Sequence, residues 1–267
     1  MTKNRLSKEQ IASYHENGYL IGLEPVFGDS EMLQLNEDLQ KLAQLLEPGE
    51  KMSAIREWHM SSKWLYDVCT NPKILDYVEA ILGPNFYMWG SQFFAKAPGS
   101  RDTVAWHQDA YYWPLHPHNS VTVWLAFTDV DEENGAMRII PKSHKAGLIK
   151  HTSVTGDSVL ALELEQGTFN EADAQSLVLK AGQISLHDDA IVHGSPANGS
   201  TRWRNGLTIR YSGTNVRCDL SKAPQFKAFL VRGTDEYNYN PQGMIPTETF
   251  VRLPSDQHIA STDEVKQ

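Results

Sequence analysis

Cysteine is almost missing from this 267-residue chain: only Cys69 and Cys218 occur, far apart and in no metal-type spacing. That excludes a disulfide framework and a thiolate zinc site and leaves two ordinary thiols. No apolar run approaches the ~20 residues that span a bilayer. The N-terminal stretch MTKNRLSKEQ has no signal-peptide core, so a cytoplasmic protein with no membrane partner is expected. Blocks of lysine and arginine are also missing, and a formal charge of −9 argues against a nucleic-acid footprint. A local basic pocket for a small anion stays open. Internal repeats and low-complexity tracts are absent too, so residues 1–267 read as a single domain, long enough to bury a full core.

What is present divides by period. Ser7 with Gln10 makes a capping box for a helix over 8–17, ended by Gly18 ahead of the apolar Tyr19, Leu20 and Ile21. Met32, Leu35, Leu39, Leu42 and Leu46 recur at three- and four-residue steps, predicting an amphipathic helix stopped by Pro48 and Gly49. Asn71 as N-cap, Pro72 at the first helical position, Ile74, Tyr77, Val78 and Ile81 on one face, and Gly83 past the end predict another. Residues 1–84 therefore read as a helical N-terminal part.

From Asn85 the segments NFYMWGSQFFAKAP, TVAWHQD, SVTVWLAFTDV, AMRIIP, SLVLKAGQISLHD, AIVHGS and NGLTIRYSG read as short β runs between turn signals. The fold expected is mainly β with helices (α+β): an antiparallel barrel or double-sheet jelly roll over 85–212, helices packed outside. Residues 151–176 read as an insertion, either a lid or a plain surface excursion, and 213–267 as a loop-rich C-terminal part.

Two His-x-Asp pairs occur, His107 with Asp109 and His187 with Asp189, so neither carries weight alone. In an extended strand residues two apart share a face, so each pair can offer an imidazole and a carboxylate to one cavity. A third ligand has to come from a distant strand. His193 follows Asp109 by 84 residues, enough to wind most of a jelly roll and return, but follows Asp189 by only four. The preferred set is His107, Asp109 and His193, with His187 a supporting or core histidine. Two imidazoles and one carboxylate leave half an octahedron open, as in non-heme Fe(II) oxygenases, whereas zinc favours a four-coordinate site. His116 and His118, in a proline-punctuated connection, read as surface histidines.

The segments WHQDAYYWPLHP, DVDEENGAMRIIPKSHKAG and AGQISLHDDAIVHGS, with an arginine eleven residues after the last histidine, together resemble the phytanoyl-CoA dioxygenase family of Fe(II)/2-oxoglutarate oxygenases over about 85–212. The resemblance implies a double-stranded β-helix, iron on His107, Asp109 and His193, and 2-oxoglutarate and O₂ as co-substrates, with succinate and CO₂ released. It implies Arg204 as the cation for the far carboxylate of 2-oxoglutarate, with Arg202 a rival on the same face, Thr208 assisting and Ser195 nearby. Gln92 and Lys96, sharing a face with Phe94, would turn toward the co-substrate and substrate, unless that alternation is the outer face of the sheet. Tyr112 and Trp124 are expected as pocket walls or plain core, and Arg210 as the group meeting an acidic substrate. The run PKSHKAG departs from the family's PGSH in having Lys142 for glycine, away from the metal.

The activity implied is hydroxylation of a small anionic or zwitterionic metabolite, with 2-aminoethylphosphonate nominated. A metal-dependent hydrolase or isomerase on a cupin-like barrel, and a non-catalytic jelly-roll binding module, are the alternatives.

Overall fold

The computed structural model describes residues 6–154 and 158–259. Its helices are α1 (Lys8–Asn17), α2 (Asp29–Ala43), α3 (Lys63–Cys69), α4 (Pro72–Leu82) and the single turn α5 (Asp109–Tyr112). The strands are β1 (Tyr19–Leu20), β2 (Phe86–Lys96), β3 (Val104–His107), β4 (Leu115–His116), β5 (Ser120–Ala126), β6 (Arg138–Ile139), β7 (His151–Ser153), β8 (Leu162–Leu164), β9 (Gln175–Ser176), β10 (Ile184–Asp188), β11 (His193–Ser195), β12 (Arg204–Gly213), β13 (Arg217–Cys218) and β14 (Phe229–Arg232).

Local chemistry sets the helix ends. Ser7 Oγ accepts from Gln10 N while Ser7 N donates to Gln10 Oε1, and Gly18 closes α1 at φ 83°. Asn71 Oδ1 accepts from Lys73 N ahead of Pro72, and Gly83 follows α4. The second helix stops earlier than its leucine spacing suggests. It ends at Ala43, and Leu45 N and Leu46 N bond to Leu42 O and Ala43 O in tighter three-residue steps, so Leu46 lies beyond it.

All seven β runs contain a strand. They form a six-stranded sheet, β1-β10-β5-β12-β2-β14, and a four-stranded sheet, β3-β11-β6-β9, all antiparallel. This is a double-sheet jelly roll, not a closed barrel. Strand alternation explains how the larger sheet is covered. Leu207, Ile209 and Tyr211 of β12, with Val121, Val123 and Leu125 of β5, pack with Leu39, Leu42, Ile74 and Val78 of the helices. The intervening Arg204, Thr208 and Arg210 line the interior instead. Each fully buried aliphatic side chain contributes about 1.5–3 kcal/mol, so this helix-covered face anchors the scaffold.

The C-terminal part is loop-rich, yet β14 adds an edge to the large sheet through β2. The 151–176 segment carries the β7–β8 hairpin and returns as β9 onto β6. Both cysteines are buried and unbonded.

Lys142 lies at φ 68°, the left-handed region where glycine pays no steric penalty. Its ammonium pairs with Glu16 across an exposed surface, which adds little. Relief of about 1–2 kcal/mol of backbone strain against about 0.4–1 kcal/mol of added chain entropy sets the expectation for Lys142→Gly. Urea unfolding should find it more stable by about 0.5 kcal/mol, with turnover unchanged.

Candidate metal centre

Strands β3 and β11 run antiparallel with His107 and His193 directly opposite one another. Gly194 permits the approach, since a Cβ there would lie 2.9 Å from Val104 O. The two rings are 4.1 Å apart between centroids. His107 Nδ1–H donates to Ala105 O at 2.8 Å, and His193 Nδ1–H donates to Ile191 O at 3.0 Å. Both rings are thereby fixed in the tautomer that leaves the Nε2 lone pair free, the arrangement that prepares an imidazole to bind a metal.

Asp109 completes the group, but not from a strand. The extended backbone ends at Gln108 (φ −118°, ψ 127°), and Asp109 opens α5, which still carries its carboxylate to the imidazoles. Oδ1 lies 3.6 Å from His107 Nε2 and 3.9 Å from His193 Nε2. Oδ2 is held by Thr122 Oγ1 at 3.2 Å and faces His187 Nε2 at 3.7 Å. One oxygen is therefore anchored and the other presented. Burial opposes ionisation of Asp109, but the facing His107 and His187, with the fields of His193 and Arg210, outweigh it and hold the carboxyl well below the usual carboxylate range. Burial, then His107, pushes His193 well down, keeping it a neutral ligand despite Asp109.

One donor atom from each of His107, Asp109 and His193 lies within 4.8 Å of the others, the sole such cluster among the described residues. Two neutral nitrogens and one anionic oxygen fit a divalent ion with open positions. Asp189, of the rival pair, faces His118 at 3.9 Å, and burial first, then Asp188 and Asp109, raises it to about 8. His187 is buried beside Asp109. His116 and His118 are exposed.

Next to the triad an inner pocket is lined by Trp124, Met137, Ser195, Arg204, Thr208 and Arg210. Arg204 is 2% exposed and donates to Gly135 O (2.9 Å), Ser195 Oγ (3.3 Å) and Phe94 O (3.4 Å), with its Nε unpartnered. Lys96 sits opposite it in the ladder and donates to Ser195 Oγ at 2.7 Å and to the Ser195 and Pro196 carbonyls. No ion pair joins either cation to an acid among the described residues. Two buried like charges side by side are costly unless an anion joins them or one gives up its proton. Arg202 is exposed, paired with Asp131 (2.8 Å) and Glu133 (3.0 Å), and does not line the inner pocket.

The sequence matches the family described as Phytanoyl-CoA dioxygenase (PhyH) over residues 14–206. The chain belongs to this family. Among phytanoyl-CoA dioxygenase relatives, the peroxisomal phytanoyl-CoA dioxygenase of Bos taurus is 25% identical over 238 residues, covering 79% of this chain and 70% of that protein. The "Probable alpha-ketoglutarate-dependent hypophosphite dioxygenase" of Stutzerimonas stutzeri is 29% identical over 220 residues, covering 79% of this chain and 73% of that protein. A solved structure described as a non-heme monooxygenase, ThoJ in its apo form, superposes with a TM-score of 0.75 at 27% identity, covering 90% of this chain and 89% of that one.

In this chain an outer cavity of about 470 Å³ opens on His107 and Asp109 and is lined by Arg56, Glu57, Trp89, Tyr112, Trp113 and Arg210 among others. Arg210, whose guanidinium lies over Trp113 at 5.2 Å and Trp89 at 5.7 Å, borders both spaces. Trp124 lies in the inner pocket, its ring 5.4 Å from the Arg204 guanidinium, and is not part of the outer lining. Gln92 turns its amide to Ser53 O and lines the outer cavity, where the 53–57 segment pairs with its strand.

Tyr112 reaches the outer wall but donates its hydroxyl to Leu162 O at 2.8 Å. Thr208 donates to Gln92 O at 3.1 Å. Sequence reasoning missed Arg56 and Glu57, which hold Ile259 of the C-terminal part against the cavity through its backbone O and N. No local signal marks them. No helix is long and apolar enough to cross a membrane among the described residues.

Proposed function

We propose that this chain, a 2-oxoglutarate-dependent dioxygenase by family, hydroxylates a C–H bond of a small anionic or zwitterionic metabolite, with 2-aminoethylphosphonate the first candidate. His107, Asp109 and His193 hold Fe(II), and Arg204 with Lys96, Ser195 and Thr208 holds the far carboxylate of 2-oxoglutarate. The observation that carries the reading is the placement of a two-imidazole, one-carboxylate donor set beside two buried cations that lack an acidic partner among the described residues. Family membership sets aside the hydrolase and non-catalytic alternatives.

When bound, ferrous iron and 2-oxoglutarate supply the oxidising chemistry, consuming O₂ and releasing succinate and CO₂ as a substrate C–H becomes C–OH. The chain's own work is positioning. Thr122 fixes Asp109 so that one oxygen points at the metal position. Arg204, its guanidinium 5.4 Å from the Trp124 ring, would orient the keto acid from one end, with Lys96 opposite it in the ladder. Arg210, clamped by two tryptophans, offers a fixed guanidinium to a substrate carboxylate or phosphonate in the outer cavity. Tyr112 and the Ile259 segment wall that space from water.

The test is an aerobic assay with Fe(II), 2-oxoglutarate and a panel of acids, following succinate and product together. The cavity volume also admits larger anions, so the panel spans 2-aminoethylphosphonate, amino acids and larger carboxylates. Substrate-stimulated succinate matched one to one by hydroxylated product is expected from an anionic member. Stimulation only by uncharged compounds contradicts the assignment of Arg210.

Lys96 supplies a pH prediction. Burial, then Arg204, pushes its ammonium down to about 7. The charged form predominates below that value and attracts the co-substrate; the neutral form above it does not. The 2-oxoglutarate KM is therefore expected to rise as pH climbs through about 7, and Lys96→Met should flatten that profile.

A further inference from the structure

We infer that His151 and Gln108 form a clasp that positions the carboxylate ligand, so that the inserted segment carrying β7 sets the metal affinity of the site. The inference rests on the metal-centre reading above.

Gln108 stands between the two ligands His107 and Asp109 and is fully buried. Its backbone N–H donates to His151 Nε2 at 3.1 Å. Its side-chain amide donates to Gly147 O at 2.9 Å and to Ala190 O at 2.6 Å, and its Oε1 accepts from Ile149 N at 2.7 Å. Every hydrogen-bonding arm of this residue except its carbonyl is thus spent on two remote segments. One is the 147–151 approach to the β7–β8 hairpin. The other leads into His193, since Ile191, next after Ala190, accepts the His193 Nδ1–H.

His151 is built to serve as an acceptor. Its Nδ1–H donates to Ile149 O at 2.9 Å, which leaves the lone pair on Nε2 facing Gln108 N. The ring stacks on Tyr111 at 3.9 Å with an interplanar angle of 22° and meets Tyr112 edge-on at 5.9 Å. Both tyrosines belong to α5, the turn that Asp109 opens. Burial pushes His151 down to about 4, so it stays neutral at ordinary pH. The imidazole therefore grips the ligand-bearing turn twice, by its nitrogen at Gln108 and by its face on Tyr111. The backbone between His107 and Asp109 is held from outside the two sheets.

A ring present for packing alone would be replaced without loss by phenylalanine. The clasp instead needs an acceptor at Nε2, which the Oε1 of glutamine can supply. In Mn(II) titrations of the full chain by calorimetry, His151→Phe is expected to raise the Kd about tenfold or more, and His151→Gln to stay within about threefold of the parent. A His151→Phe protein that binds Mn(II) as tightly as the parent overturns the clasp and leaves the metal centre standing. A parent protein that fails to bind Mn(II) overturns both.

Should the phenylalanine variant not fold, hydrogen exchange on the unsubstituted chain decides. Mn(II) with 2-oxoglutarate should raise protection together in peptides covering 106–111 and 147–153. Protection confined to 106–111 contradicts the inference.

Discussion

Asp109→Asn is expected to abolish substrate-coupled succinate formation and to weaken divalent-metal binding by about 100-fold or more, equivalent to roughly 2.7 kcal/mol. Among the three donors Asp109 alone brings negative charge, and it is held ionised within a buried site. Asparagine has the same shape, so Thr122 can still bond its side chain and the fold should persist. What is lost is the anion that balances the metal between two neutral imidazoles. A circular-dichroism spectrum matching the parent, with metal binding lost in calorimetry, is the expected combination. Unchanged turnover would move the ligand set elsewhere.

Arg204→Ala is expected to raise the 2-oxoglutarate KM by about 10- to 100-fold while leaving kcat at saturating co-substrate much closer to the parent value. A buried arginine–carboxylate contact contributes about 1.5–3 kcal/mol, and the fork geometry cannot be copied by lysine. Arg202→Ala is the control, since that side chain is exposed and already paired with Asp131 and Glu133. Its KM should move less than about twofold, as expected for a surface pair. The reverse ranking would give the co-substrate role to Arg202.

The legible parts of this molecule are those whose cause is local. Capping at Ser7 with Gln10, and at Asn71 with Pro72, depends on neighbours three residues away or fewer, and both helices begin as their sequences predict. The alternation of β12 separates Leu207 and Ile209 from Arg204 and Thr208 by parity alone. Parity could not choose between Arg202 and Arg204, which share it. What separates them is where the strand starts, at Arg204, with Arg202 left in the preceding turn beside acids.

Chain direction was harder to read where a strand gives way to a turn. The expectation that Asp109 shares a strand with His107 is replaced by a helical turn that reaches the same cavity. Cross-strand register does not say which cavity Trp124 and Gln92 line. Thr208 pairs with both, yet one faces Arg204 and the other the 53–57 segment. The closures of Ile259 on Arg56 and Glu57, and of His151 on Gln108, join residues too far apart in the chain for any periodicity to link them.

The most direct test of the account is an anaerobic titration of Fe(II) into the protein with 2-oxoglutarate present, read by the visible metal-to-ligand charge-transfer absorption of a chelated keto acid. One equivalent of iron should develop the band in the parent chain, and Asp109→Asn and His193→Ala should lose it while Arg202→Ala keeps it. A band that persists without His193, or a parent protein that never develops one, contradicts the metal centre on which the proposed chemistry depends.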